Sequence, residues 1–369
     1  MDSIAVSNAT NESFSLYLPN SYQSQKSSAI IFVFDPAARG RVGLAPFVES
    51  AEKYGIILVC SNNSRNGSFE KNFATADNLF KYVFKTYRVD VGQMYLAGFS
   101  GGSRLATAIA SLSGQFSGVI ACGAGFSPNP AHSPSFNPFL YAAICGVEDM
   151  NYQEILANQK YLTKLKFKNT VFSFDGGHQW PNTREVNRAV DWLFLPNNTG
   201  TISQFTKNLI AESFESEYRL TQLFLGDNEL LFARENYKRI LQTYPEHFGL
   251  DSIRSKYKEL INSEPFEAAS KNRLEALKRE LQIRKKLFNK LESDLNSIEE
   301  INFNWWEKES EKLHKMERKR HKEIKRMVAR VRYGIMAAIY EKRFSMPELI
   351  KNTHYKNVVQ SFRQMLYGN

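Results

Sequence analysis

Seven short apolar, β-rich runs fall within the first 175 residues, and none follows. They are Phe14–Leu18, Ala29–Phe34, Gly55–Cys60, Gln93–Gly98, Gly118–Cys122, Phe139–Cys145 and Thr170–Phe174. Helical patterns separate most of them, at Pro46–Tyr54, Phe69–Tyr87, Gly102–Leu112, Asn151–Leu165 and Thr183–Leu195. Strands apolar along their whole length are buried on both faces, and the intervening helices supply the cover. The first half is therefore expected to be an α/β domain built on a mostly parallel sheet.

The breaker-rich segment Pro196-Asn197-Asn198-Thr199-Gly200 ends this pattern and marks the expected boundary, with domains at 1–198 and 199–369. Charge divides the same way. Residues 1–200 hold 16 Lys+Arg against 14 Asp+Glu, and the rest holds 32 against 24. Apolar residues then recur at helical spacing, as at Leu274, Leu277, Leu281, Leu287 and Leu291. Five to seven helices are expected there, two of them long (about 266–297 and 303–332), with Trp305 and Trp306 packed between them. Ala233, Tyr237, Ile240, Leu241, Tyr244 and Pro245 resemble the second helix of a tetratricopeptide repeat, without a second copy at the repeat's period.

Composition excludes several classes. Apolar residues at 43% allow a sizeable core, and no apolar run approaches the roughly 20 residues of a membrane span. Cys60, Cys122 and Cys145 lie in strand-like runs and read as buried small hydrophobes. No spacing suggests a metal site, and no glycine-rich loop suggests a nucleotide, so neither metal nor cofactor is expected. The polar N-terminus carries no basic-then-apolar leader; a chain opening this way suits a mature secreted or periplasmic protein.

The sharpest motif is Gly98-Phe99-Ser100-Gly101-Gly102, a G-x-S-x-G between an apolar strand and a helical run. A tight strand-to-helix turn pushes a serine hydroxyl into the open, and the helix start aims N–H groups at developing negative charge. A lone serine is a poor nucleophile and needs a base and a group that orients it. The order for this architecture is Ser, acid, His. Gly146-Val147-Glu148-Asp149 follows one strand and Asp175-Gly176-Gly177-His178 follows the next, at the carboxyl ends where open α/β sheets carry their sites. Asp149 and His178 are thus the expected acid and base, with Glu148 and Asp175 as alternative acids.

Residues 10–196 resemble the α/β-hydrolase superfamily, in particular its secreted esterase branch of polyhydroxybutyrate depolymerases and feruloyl or acetylxylan esterases. The matching pieces are Gly98–Gly102, Gly146–Asp149 and Gly176-Gly177-His178-Gln179-Trp180-Pro181, which follows a GGHxWP-like pattern. The resemblance implies carboxylic-ester hydrolysis by Ser100, His178 and Asp149. It also implies an oxyanion hole from the Gly101 N–H and a donor in the loop Asp35-Pro36-Ala37-Ala38-Arg39-Gly40. That loop departs from the His-Gly of many relatives; Pro36 has no N–H, so Ala37 is the expected donor, with Ala38 behind it.

The Pro/Ser/Asn-rich segment Ser127–Pro138 is too short for a large lid, so an open cleft for bulky or carbohydrate-linked esters is expected. Asn62, Arg65 and Trp180 are candidate substrate contacts; polar loop roles compete for Asn62 and Arg65. The basic run Met316–Arg332 is interleaved with Glu317 and Glu323 and reads as a solvated helix face, not a nucleic-acid surface. The alternative to an enzyme is a hydrolase-fold scaffold whose helical half binds a protein partner.

Overall fold

The computed structural model describes residues 2–7, 9, 11–195, 203–319 and 321–368. Eight strands form one sheet: β1 (Asp2–Ala5), β2 (Ser13–Tyr17), β3 (Ser28–Phe34), β4 (Ile57–Ser61), β5 (Val89–Phe99), β6 (Gly118–Cys122), β7 (Leu140–Gly146) and β8 (Asn169–Phe174). Their order is β1-β2-β4-β3-β5-β6-β7-β8. The pairs β1–β2 and β2–β4 are antiparallel, and all others are parallel. The mostly parallel sheet expected from the apolar runs is present, with β1 added at one edge.

Six helices alternate with these strands: α1 (Gly40–Leu44), α2 (Val48–Tyr54), α3 (Phe69–Thr86), α4 (Gly101–Ser113), α5 (Tyr152–Lys164) and α6 (Thr183–Phe194). Alternation along β3 shows why its run is wholly apolar. Ile31 and Val33 join a core with Leu44, Phe47, Ala51, Val186, Val190 and Leu193, from α6 and the α1–α2 segment. Phe32 points the other way and meets Phe80 and Phe84 of α3 at ring distances of 4.6 and 5.8 Å. Complete burial of such a ring stabilises the fold by about 2–3 kcal/mol. Helix starts follow their sequence signals: Ser68 and Asn182 accept from the N–H groups of Lys71 and Glu185.

The expected boundary at 198/199 lies outside the described residues. By contacts the chain groups into a first unit of Met1–Gly146, Asn151–Asp175 and Gln179–Asn262, and a second of Val147–Met150, Gly176–His178 and Ser263–Asn369. Three helices past residue 199 thus group with the sheet: α7 (Gln204–Gly226), α8 (Leu230–Thr243) and α9 (Asp251–Ile261). The edge strand β8 explains this. An edge leaves N–H and C=O groups unpaired. Here Glu235 of α8 accepts from the Ser173 N–H at 2.8 Å, and Arg239 donates to the Val171 carbonyl at 2.7 Å. The repeat-like stretch is this helix, with Ala233, Tyr237 and Ile240 buried.

The second unit holds α10 (Glu264–Asn296), α11 (Phe303–Lys319), α12 (Lys322–Ser345) and α13 (Thr353–Tyr367). Its core joins Leu287, Leu291, Trp306, Leu313, Ile324, Val328, Val331 and Phe362, and Trp306 donates to Asp294 at 2.7 Å. The expected second long helix is broken, with His321 in extended backbone conformation at the N-cap position of α12, where its side chain makes no capping bond. Arg332 thereby reaches Glu317 at 2.8 Å and His314 at 2.7 Å, whereas one continuous helix would hold residues 317 and 332 about 22 Å apart. The solvated-face reading of the basic run holds for Arg318, Lys322 and Lys325, which are exposed, and is corrected for three arginines. Arg326, Arg330 and Arg332 are 5%, 1% and 6% exposed: Arg330 and Arg332 meet carboxylates and a carbonyl from other segments, and Arg326 pairs with Glu323 of its own helix at 2.7 Å. Among the described residues no helix is long and apolar enough to cross a membrane.

Candidate active site

Ser100 occupies the single step between β5 and α4, at φ 52° and ψ −120°. A non-glycine residue adopts a positive φ only when its surroundings enforce it. Here the Ser100 N–H donates to the Cys122 carbonyl of β6 at 2.8 Å. A Cβ on Gly102 would lie 2.0 Å from the Phe34 carbonyl oxygen, and one on Gly98 would lie 2.3 Å from the Gly102 carbonyl. Only glycine lets the strand ends approach so closely. The first turn of α4 is anchored further on: Ser103 donates to the Ala124 carbonyl at 2.6 Å, and Arg104 makes a bidentate pair with Glu154, both bonds 2.7 Å. Glu154 also accepts from the Gly125 N–H at 3.0 Å, which ties α4, α5 and the loop after β6 together.

The loop after β3 differs from expectation. Asp35 is fully buried and accepts from the Ala37 N–H (2.8 Å), the Arg39 N–H (3.2 Å), the Arg39 side chain (3.0 Å twice) and Trp180 Nε1 (2.8 Å). Burial pushes this carboxyl up, but the bonds from Arg39, Trp180 and the two amides outweigh it and hold the group below its ordinary range. The Ala37 N–H, expected in the oxyanion hole, is therefore already engaged. Trp180, expected at the substrate, anchors Asp35 and packs its ring 5.4 Å from Phe99 and 6.2 Å from Phe47.

Asn62 bonds Ser15 (3.1 Å) and Ser13 (3.1 Å), so its carboxamide faces β2. Arg65 pairs in an isolated antiparallel bridge with Ala37, and the Asn66 N–H donates to the Pro36 carbonyl at 2.9 Å. These bonds fasten the loops after β3 and β4. Asn66, which sequence reasoning passed over, places its carboxamide against the helix start: a Cβ on Gly101 would lie 1.9 Å from Asn66 Oδ1.

The acid and base candidates lie in the second unit. His178 Nδ1 meets Asp149 Oδ2 at 2.8 Å, with Asp149 only 1% exposed. The Glu148 N–H donates to the Gly176 carbonyl at 2.9 Å and joins the two loops that carry them. Of the alternative acids, Asp175 is exposed. Tyr333 of α12, 155 positions away with no local signal, sets its ring 5.5 Å from the imidazole. Burial, then the charges of Asp149 and Glu341, push its hydroxyl pKa up. Cys60 and Cys122 are buried, and burial pushes their thiols up as well.

A mostly parallel eight-stranded sheet, a serine on a strained strand-to-helix turn, and a His–Asp pair on the loops after the last two strands define an α/β-hydrolase fold. No family model matches the chain. A curated relative, feruloyl esterase B of Talaromyces funiculosus, is 28% identical over 131 residues, which is 31% of this chain and 36% of that protein. The chain thus spans about a third of that relative's length. Among solved structures, the S-formylglutathione hydrolase FrmB of Staphylococcus aureus aligns at 15% identity over 49% of this chain and 90% of its own, TM-score 0.41. Esterase 2 of Thermogutta terrifontis in its apo form aligns at 14% over 52% of this chain and 91% of its own, TM-score 0.41. Est1E of Butyrivibrio proteoclasticus aligns at 14% over 48% and 91%, TM-score 0.39.

Proposed function

We propose that this chain is a serine hydrolase of carboxylic esters, with Ser100 as nucleophile, His178 as general base and Asp149 as the acid that orients it. The observation that carries the reading is Ser100 itself, held at φ 52° between β5 and the start of a 13-residue helix. The 2.8 Å bond between His178 Nδ1 and Asp149 supports it, since a carboxylate on Nδ1 is what orients an imidazole as a general base.

In this mechanism His178 Nε2 takes the Ser100 proton as Oγ attacks the ester carbonyl. The tetrahedral oxyanion is met by the Gly101 N–H at the helix start. Ala37 contributes a second donor only where the substrate oxygen replaces Asp35 Oδ1 as its acceptor. His178 returns the proton to the departing alcohol, then activates the water that releases the acyl group. The likeness to a feruloyl esterase supports bulky, carbohydrate-linked esters, as does the β6–β7 segment, whose one helical piece is the turn Pro130–His132. Such a substrate fits a secreted or periplasmic protein.

The engaged Ala37 amide favours a second reading, a weakly active hydrolase-fold scaffold whose helical part binds a protein partner. Labelling with a fluorophosphonate, mapped by mass spectrometry, separates the two. The enzyme reading expects label on Ser100, and its loss together with roughly 10⁴–10⁶ of kcat on feruloyl or acetyl esters in His178→Ala. A folded chain that takes no label is the scaffold.

A further inference from the structure

The segment that carries Asp149 is only four residues long, and both its ends are gripped by charged side chains of the helical unit. The Val147 carbonyl accepts from Arg330 Nη1 of α12 at 2.6 Å, and the Met150 carbonyl accepts from Arg284 Nη1 of α10 at 3.0 Å. Both guanidiniums converge on one carboxylate: Glu280 accepts from Arg330 Nε at 2.8 Å and from Arg284 Nη1 at 3.2 Å. Glu280 is 0% exposed and Arg330 is 1% exposed. Asp149 lies between the two held carbonyls.

We infer that Arg330, Glu280 and Arg284 form a positioning network that fixes the segment Val147–Met150, and with it Asp149 against His178. The inference deepens the serine-hydrolase reading and rests on it. Stability does not account for such a network. Desolvating three ions costs much of what their pairing returns, and apolar residues of the same volume often serve a fold as well or better. Geometry does account for it. A planar guanidinium presents a rigid fork, so one Arg330 side chain fixes a carbonyl and a carboxylate at once, which a lysine ammonium cannot do with the same directionality.

Two neighbours on α12 agree. Gly334 stands inside the helix, where glycine is unfavourable, and a Cβ there would come within 3.2 Å of Arg284 Nη2 and 3.0 Å of Phe288 Cζ. Tyr333 meets the His178 ring, and the Glu148–Gly176 bond carries the constraint from the acid loop to the base loop. The helical half thus addresses the acid and base loops through residues 330, 333 and 334 of a single helix.

The test uses the full chain and two variants, the charge-balanced Arg330→Met/Glu280→Leu and the conservative Arg330→Lys. Each is assayed for p-nitrophenyl acetate hydrolysis, thermal unfolding, and the far-downfield proton resonance of the His178–Asp149 hydrogen bond. Positioning predicts kcat lower by roughly 30- to 100-fold in the double variant, with KM within about twofold and the melting temperature kept. It also predicts that the resonance shifts or broadens, and that Arg330→Lys retains an intermediate kcat. A folded double variant with kcat within about twofold of wild type and an unmoved resonance overturns the inference. Where the double variant does not fold, the same two readouts on Arg330→Lys decide. A wild-type chain that hydrolyses no ester overturns the enzyme reading instead, and the resonance comparison still shows whether the network holds the pair.

Discussion

Two buried charge networks, one in each unit, use the same residue types for different ends. In the first unit Glu217 of α7 takes Arg188 at 2.5 and 3.1 Å and Arg239 at 3.2 Å, while Glu185 takes Arg188 at 2.6 Å and Asn236 bonds both arginines. This network ends on β8, where Arg239 reaches the Val171 carbonyl and lies 4.0 Å over the Phe172 ring. In the second unit, Arg330, Glu280 and Arg284 end on the carbonyls of Val147 and Met150. A strand such as β8 is already ordered by its ladder with β7. The segment Val147–Met150 belongs to no strand or helix and has no such ladder. The first network therefore fastens α7 and α8 to a strand that is already ordered, and on the inference above the second sets the place of Asp149.

The largest effect that separates them comes from the first network. Glu217→Ala leaves two guanidiniums buried beside each other with their shared carboxylate gone, an arrangement that costs about 3–5 kcal/mol. Calorimetry is expected to show a lower melting temperature, and ester hydrolysis per folded molecule should match wild type. Loss of kcat at an unchanged melting temperature would erase the distinction between the networks.

Acid sharpens the same contrast. Burial pushes the Glu217 carboxyl up from its ordinary 4.5, but Arg188 and Arg239 outweigh it and hold the group down to about 2. A carboxyl with a depressed folded-state value adds stability that is fully present above its unfolded value and fades as pH falls through the folded one. The stability difference between wild type and Glu217→Gln is thus expected to be constant above about pH 5 and to shrink between pH 4.5 and 2. Denaturant unfolding at stepped pH measures it; a difference that grows on acidification would contradict the assignment.

How much of this was legible in the sequence depends on how local each determinant is. The strands from β2 to β8 were readable because full burial demands unbroken apolar runs, and Ser100 because its glycines must sit within two positions of it. That His178 and Asp149 stand on loops at strand ends was readable from the strand pattern. Strand β1, Asp-Ser-Ile-Ala, was not, since an edge strand needs no apolar run. The burial of Arg330 depends on Glu280, fifty positions away, and no window along the chain connects them. The engaged Ala37 amide is a different case, since its acceptor Asp35 stands only two positions before it, a local Asx-type turn. Asp35 read as a departure from a dipeptide; its bonds from Ala37 and Arg39 are local, and only the bond from Trp180 needs residue 180 to arrive beside it. Patterns of burial travel well through sequence; the pairing of buried charges does not.

The smallest expected effect is the most discriminating for the second network. Arg284 is about a quarter exposed, so its pairing with Glu280 is weaker than that of Arg330 and is partly replaced by water when lost. Arg284→Gln keeps a donor of similar reach but removes one charge, leaving Glu280 with Arg330 and the Met150 carbonyl with a neutral partner or none. The expected cost is about 1 kcal/mol of stability, the usual worth of one net hydrogen bond. If the network merely holds the helical unit together, kcat should not respond to so small a change. If it positions Asp149, one end of the acid segment is loosened while the other stays on Arg330, and kcat should fall by roughly three- to fivefold with KM unmoved. Paired with Arg330→Lys in a double-mutant cycle, the two losses should be less than additive, because both substitutions release the same four residues. Strict additivity would mean that the two arginines act on separate targets, and the two networks would then differ in location alone.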